Sequence, residues 1–136
     1  MKVLNIICLC LLTSTIALAQ QERFTGTWNV FDFKMVMQEN TNHMDEATLK
    51  KEGAVWELVF QKDGSLTQTS NMRNSEMESW EGRYKTEGDK LKLFLMVEGR
   101  EMQLQYQYEF KDALLKLKRS NPKGTMHVLA EFRKSS

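Results

Sequence analysis

The sequence predicts an all-β domain: an eight-stranded up-and-down antiparallel β-barrel with one short helix in the first loop between strands. The first observation is the alternation of apolar and polar residues within short segments, clearest over residues 101–110, which is the period of a strand with one buried face. The second is that tight-turn sequences such as Asp63-Gly64 join most of these segments. Eight strands of this kind are enough to close a barrel and remove its edges.

The first 19 residues predict a secretory signal peptide. A single lysine precedes an apolar run that ends in a small-residue cleavage site, so cleavage is expected after Ala19. This leaves one domain over residues 20–136, which we expect to be secreted or periplasmic. Both cysteines, Cys8 and Cys10, lie in the leader behind bulky residues where lipoprotein processing needs a small one. Lipoprotein anchoring is therefore not expected.

The composition of the mature chain excludes several classes of function. Its 117 residues are enough for one core, and its 18 basic residues equal its 18 acidic residues. Without a basic excess it lacks the electrostatic attraction that nucleic acids require, so no nucleic-acid partner is expected. Its apolar runs are too short to span a bilayer, so membrane insertion is not expected either.

The first strand is predicted over residues 25–38, with a break in its alternation. Trp28 and Val30 share one face, whereas Phe31 and Phe33 share the other. A period of two cannot shift by one residue without a bulge or a sharp bend, so we expect one near Val30 and Phe31.

The helix is predicted over residues 43–51. Residues 40–42 offer N-caps, residues 45–46 are acidic, and residues 50–51 are lysines. Gly53 suits a left-handed cap at the C-terminal end. The other seven strands are predicted over residues 54–61, 65–72, 79–86, 91–97, 101–110, 114–119 and 125–133.

Several short motifs together resemble a known family. They are Phe24-Thr-Gly-Thr-Trp28 at the start of the mature chain, residues 56–60 leading into Lys62-Asp63-Gly64, and Trp80-x-Gly82-x-Tyr84. Their order resembles that of the small secreted bacterial lipocalin-like domains of the calycin group. The resemblance implies that Trp28 lies at the closed end of the barrel and that Arg133 stacks on it, as a structural pair and not a ligand site.

If the first strand runs from the closed end to the open end, all eight mature methionines fall in the open half. Methionine adapts to differently shaped partners, and the inward faces are largely apolar, as in small-molecule sites. Alternation and turn positions place Arg83, Arg100 and Arg119 outward, so a neutral or aromatic ligand is favoured over an acid. The predicted ligand-binding residues are Met35, Met37, Met44, Trp56, Leu58, Met72, Trp80, Tyr84, Met102, Leu104, Tyr106, Tyr108 and Met126.

The sequence therefore predicts an exported, monomeric, non-enzymatic barrel that binds a small apolar ligand at its open end. No catalytic residue and no cofactor is predicted. His43 with Asp45 and Glu46 falls short of any zinc-binding spacing, so no metal is predicted. The alternative is a barrel filled by its own side chains that acts as a protein-interaction or inhibitor module through loops 39–53 and 72–78.

Overall fold

The computed structural model describes residues 21–135, so the predicted signal peptide lies outside the described residues. Residues 21–24 are helical. One further helix, α1 (Glu46–Glu52), follows the second strand. The nine strands are β1 (Gly26–Met37), β2 (Asn40–Met44), β3 (Trp56–Phe60), β4 (Ser65–Ser70), β5 (Glu78–Glu87), β6 (Lys90–Val97), β7 (Arg100–Lys111), β8 (Leu114–Ser120) and β9 (Met126–Lys134). Within residues 21–135, no helix has the length and apolar character needed to cross a membrane.

The predicted eight-stranded antiparallel barrel is confirmed. The strands follow the order β2-β1-β3-β4-β5-β6-β7-β8-β9, and a further pairing between β1 and β9 closes the barrel. The first part of β1 pairs with β3, whereas residues 33–37 pair with β2. Eight strands thus form the closed wall, and β2 is an additional strand on β1 beyond the end of β3.

A β-bulge interrupts β1 at the predicted place. The register with β9 shifts between Val30 and Asp32, so that Phe31 is the extra residue. The bulge lets Trp28 and Phe33 both enter the core, with exposed fractions of 3% and 9%, although alternation alone would put them on opposite faces.

The start of the helix was predicted wrongly, and its end correctly. Residues 40–44 form the strand β2 instead of N-caps and a first helical turn, because their backbone pairs with residues 33–37 of β1. The N-cap is Asp45, whose carboxylate accepts a hydrogen bond from the Thr48 backbone N–H at 2.8 Å. Gly53 caps the C-terminal end with φ of 66°, in the left-handed conformation.

Aromatic side chains fill the closed end of the barrel. Phe24 is fully buried there, and its ring centroid lies 5.1 Å from that of Phe60 and 4.8 Å from that of Phe110. Tyr84 and Tyr108 complete this closed-end cluster at 6.0 and 5.0 Å from Phe24. The Phe24 carbonyl also accepts a 2.7 Å hydrogen bond from the indole N–H of Trp28, which ties residues 21–24 to the barrel.

The predicted stacking of Arg133 on Trp28 is wrong by one residue. Trp28 pairs across the ladder with Lys134, so these two side chains share a face, and the Lys134 ammonium lies 5.7 Å from the Trp28 ring centroid. Arg133 pairs with Asn29 and points outward. Its guanidinium lies 4.6 Å from the Phe31 ring centroid.

Candidate ligand-binding cavity

A cavity of about 460 Å³ occupies the open half of the barrel, opposite the closed-end cluster. We call it the main cavity. Its walls come from β1, from β3 to β5 and from β7 to β9, and the segment after β4 contributes at the rim. The lining residues are Phe33, Met35, Trp56, Gln68, Ser70, Met72, Arg73, Glu78, Trp80, Met102, Leu104, Tyr106, Arg119, Met126 and Val128.

A fixed tryptophan forms part of the cavity wall. Trp56 is 8% exposed and packs edge-on against Phe132, with 5.0 Å between the ring centroids. Its indole N–H donates to the Gln68 side-chain oxygen at 3.2 Å, across the pair of strands β3 and β4. Gln68 is the one buried polar side chain in the core of residues 21–135. The hydrogen bond pairs the indole N–H with the amide oxygen, so neither of these two atoms is left without a partner.

Arg119 brings a positive charge to the opposite wall. It lies in phase with Leu115 and Leu117, both buried, and pairs across the ladder with Val128, which also lines the main cavity. The neighbouring Tyr106 is 4% exposed. Burial raises the pKa of the Tyr106 hydroxyl, and the charge of Arg119 and its hydrogen bonding to the tyrosine offset part of this increase. The sequence predicts Arg119 on the surface; its side chain is exposed, and it also lines the main cavity.

A second guanidinium lies on the far side of the cavity mouth. Arg73 follows β4, and its guanidinium carbon lies 5.2 Å from the Trp80 ring centroid, a cation–π contact. Glu78 lines the same side, and its carboxylate accepts a hydrogen bond from Asn74 at 3.2 Å. Positive and negative charges are thus mixed on this side of the mouth.

A side cavity of about 310 Å³ adjoins the main one and shares Phe33, Met35 and Met72 with it. Met44, at the end of β2, lines only the side cavity. Asn71 lines the side cavity and holds the segment before β3 in place. Its side-chain oxygen accepts a hydrogen bond from the Val55 N–H at 2.7 Å, and its side-chain nitrogen donates one to the Gly53 carbonyl at 2.8 Å. The side cavity lies beside β2 and the end of α1, where Asn42 and Glu52 also line it.

Most of the predicted ligand-binding residues face the main cavity. Eight of them line it: Met35, Trp56, Met72, Trp80, Met102, Leu104, Tyr106 and Met126. Met44 lines the side cavity. The residues of the main cavity that the prediction omitted are Phe33, Gln68, Ser70, Arg73, Glu78, Arg119 and Val128.

Four predicted residues lie elsewhere. Tyr84 and Tyr108 belong to the closed-end cluster, and their hydroxyls donate to the carbonyls of Gln61 and Gly88. Leu58 is fully buried opposite Trp28, in the half of the barrel that aromatic rings fill. These three face inward as predicted, but at the wrong level along the barrel axis. Met37 is 50% exposed at the end of β1 and does not line the main cavity.

The residues considered for a metal site have other partners. His43 Nε2 lies 2.8 Å from an oxygen of Asp32, Asp45 caps α1, and Glu46 pairs with Lys50 and Arg133. Hydrogen bonding to Thr48 lowers the pKa of Asp45, and Lys50 and Arg133 lower the pKa of Glu46. Each of the three side chains therefore has its own partner in or near β2 and α1.

The fold resembles that of solved bacterial proteins. A lipocalin-like protein from Bacteroides uniformis ATCC 8492 superposes with a TM-score of 0.54 at 17% identity, covering 82% of this chain and 98% of that chain. An uncharacterized protein from Bacteroides eggerthii DSM 20697 gives 0.52 at 18% identity, with the same coverage. No protein-family model matches the sequence, and a search of curated proteins finds no match. The chain has a lipocalin-like β-barrel fold, as its motifs predict.

Proposed function

We propose that this protein is an exported, monomeric binding protein that holds one small, mostly apolar molecule in its main cavity and does not act as an enzyme. The observation that supports this is the size and chemistry of the cavity. A volume of about 460 Å³ falls in the range of small-molecule sites, and tryptophan, methionine and aliphatic side chains dominate its walls.

The lining favours apolar ligands of more than one shape. Burying apolar surface in such a site contributes roughly 2.5 kcal/mol for each 100 Å² removed from water. Trp56 supplies a fixed flat surface, whereas the four methionines of the main cavity can change rotamer to follow a ligand. We therefore expect affinity for a group of related apolar molecules.

The alternative of a barrel filled by its own side chains is less well supported. Such a barrel would leave only scattered voids, whereas this one has a main cavity of about 460 Å³ in its open half. The preference for a neutral ligand also loses its basis, because it assumed that no arginine reaches the interior, whereas Arg119 lines the main cavity.

Binding can be tested with 1-aminoanthracene, a neutral dye whose emission depends on polarity. We expect its emission to rise and shift to the blue when it binds to the wild-type protein. Val128→Phe adds a ring inside the cavity and should weaken dye binding by about tenfold or more.

Leu129→Phe is the matched control. Leu129 is the next residue of the same strand, 37% exposed, and does not line the main cavity. Dye binding to this variant should equal that of the wild type. Melting temperatures of both variants establish that they fold. Absence of dye binding to the wild-type protein, or equal affinity for the wild type and Val128→Phe, would contradict a binding cavity.

Export is tested separately. Expression of the full chain in a bacterial host, followed by intact-mass measurement of the exported product, should give a protein that begins at Gln20. Full-length product confined to the cytoplasm would contradict the proposed export without affecting the binding proposal.

A further inference from the structure

The charges around the main cavity are unevenly distributed. Three charged side chains line it: Arg73, Glu78 and Arg119. Arg73 and Glu78 lie on the side of the mouth formed by the segment after β4 and the start of β5. Arg119 lies on β8, which is four strands from β4 and three from β5 around an eight-stranded wall, and so on the opposite side.

Arg119 hydrogen-bonds to Tyr106 but has no acidic partner in the part of the chain that the structure describes. Among residues 21–135, no carboxylate lies within ion-pair distance of its guanidinium, whereas Arg83 and Arg133 pair with Glu101 and Glu46. Its phase in β8 turns it toward the cavity, next to buried Leu117 on the inward face. Arg119 is solvent-exposed at the edge of the apolar lining, so it attracts an anion through its charge and the paired N–H donors of its guanidinium, without a cost of burial.

Tyr106 adds a second polar group to this wall. In the antiparallel ladder of β7 and β8, Gln107 pairs with Lys118. One position further along, Tyr106 therefore lies across from Arg119. Burial raises the pKa of its hydroxyl, so the group stays protonated at neutral pH and can donate a hydrogen bond. A guanidinium offers a planar pair of N–H donors that matches the two oxygens of a carboxylate.

We infer that the ligand of the main cavity is an apolar carboxylic acid, whose carboxylate binds Arg119 and the Tyr106 hydroxyl while its apolar part lies against Trp56 and the methionines. This inference rests on the proposed function and adds the chemical class of the ligand. On the other side of the mouth, Arg73 already stacks on Trp80 and shares its side with Glu78, which makes it the weaker anion site.

The test compares decanoate with decanol, which have the same chain length and differ in the charged head group. Each is titrated by displacement of bound 1-aminoanthracene at neutral pH. Wild-type protein should bind decanoate more tightly than decanol. A charge-assisted hydrogen-bonded contact at a partly exposed position corresponds to a difference of about tenfold.

Two substitutions at the site and one outside it distinguish a specific contact with the carboxylate from a general effect of protein charge. Arg119→Gln should weaken decanoate binding by about tenfold and leave decanol binding unchanged, which also establishes that the cavity is intact. Tyr106→Phe should weaken decanoate binding by a smaller factor. Lys118→Gln removes one positive charge from the adjacent, exposed position of β8 and should change neither affinity, which excludes a general charge effect.

The outcomes distinguish this inference from the proposed function. If decanol binds as well as decanoate and Arg119→Gln changes neither affinity, the acid inference is overturned while the binding function stands. If Lys118→Gln weakens decanoate binding as much as Arg119→Gln does, the effect is general electrostatics and the inference is again overturned. If neither ligand nor the dye binds, the proposed function itself fails.

Discussion

Replacing Phe24 with alanine tests how the closed end of the barrel is held. Phe24 is fully buried, and its ring lies within 6.0 Å of four other aromatic rings. Removing a buried phenylalanine ring costs about 3 to 5 kcal/mol, from lost burial and from the space left behind. The rigid rings around it cannot collapse far, so we expect about 4 kcal/mol for this site.

The assay is urea unfolding followed by far-UV circular dichroism, together with a thermal melt. For a domain of this size, a loss of about 4 kcal/mol corresponds to a melting temperature lower by roughly 12 to 20 °C. Phe94→Ala is the matched control, because Phe94 lies half-buried on the outer face of β6, where Arg83 covers it. That variant should lose about 1 kcal/mol or less.

Ligand binding provides the second readout. Phe24 lies at the end of the barrel opposite the main cavity, so a folded Phe24→Ala protein should bind 1-aminoanthracene with unchanged affinity. A Phe24→Ala protein as stable as the Phe94→Ala control would show that the aromatic cluster does not close the barrel. A stable variant that lost dye binding would show that the ligand enters at this end.

Three further changes test other parts of the structure. Gly82→Ala would place a Cβ atom 1.9 Å from the Phe94 carbonyl oxygen, so we expect a large decrease in the urea midpoint, or no folded protein; a midpoint equal to that of the wild type would contradict this close approach. Gln68→Leu leaves the Trp56 indole N–H without its partner, and unfolding should show a loss of about 1 to 3 kcal/mol, whereas an unchanged stability would mean that water replaces the amide. Burial raises the pKa of all three tyrosine hydroxyls in the folded protein. Their protonated forms therefore favour the folded state below pH 10, and this contribution to stability is lost as the pH rises through the raised pKa values. Absorbance at 295 nm should therefore rise at higher pH in folded protein than in urea, and coincident titration curves would refute this.

The overall fold could be predicted because alternation reports directly on which face of a strand is buried. Residues 101–110 show this best, and they lie within β7. The bulge near Val30 could also be predicted, since two apolar series of opposite phase in one strand require an extra residue. Alternation gives no information on level along the barrel axis. For this reason Tyr84 and Tyr108 were placed in the ligand site, although they fill the closed end.

The remaining errors depend on details of pairing that local sequence does not contain. Residues 40–44 have the composition of helix caps, and only their pairing with β1 makes them a strand. The partner of Trp28 depends on a register defined to a single residue, which brings in Lys134. Arg119, which alternation and turn position predict to point outward, is exposed, yet it has the phase of Leu115 and Leu117 and lines the main cavity. At the mouth of a barrel, a side chain can line the interior and still reach water.

The most direct measurement of the central claim uses the indole N–H signals of the three tryptophans in a ¹H–¹⁵N correlation spectrum. Trp56 and Trp80 line the main cavity, whereas Trp28 is buried opposite Leu58 and hydrogen-bonded to Phe24. Titration with 1-aminoanthracene should shift the signals of Trp56 and Trp80 in a saturable manner and leave that of Trp28 in place. Three unmoved signals, or a shift of Trp28 alone, would contradict a ligand site at the open end of the barrel.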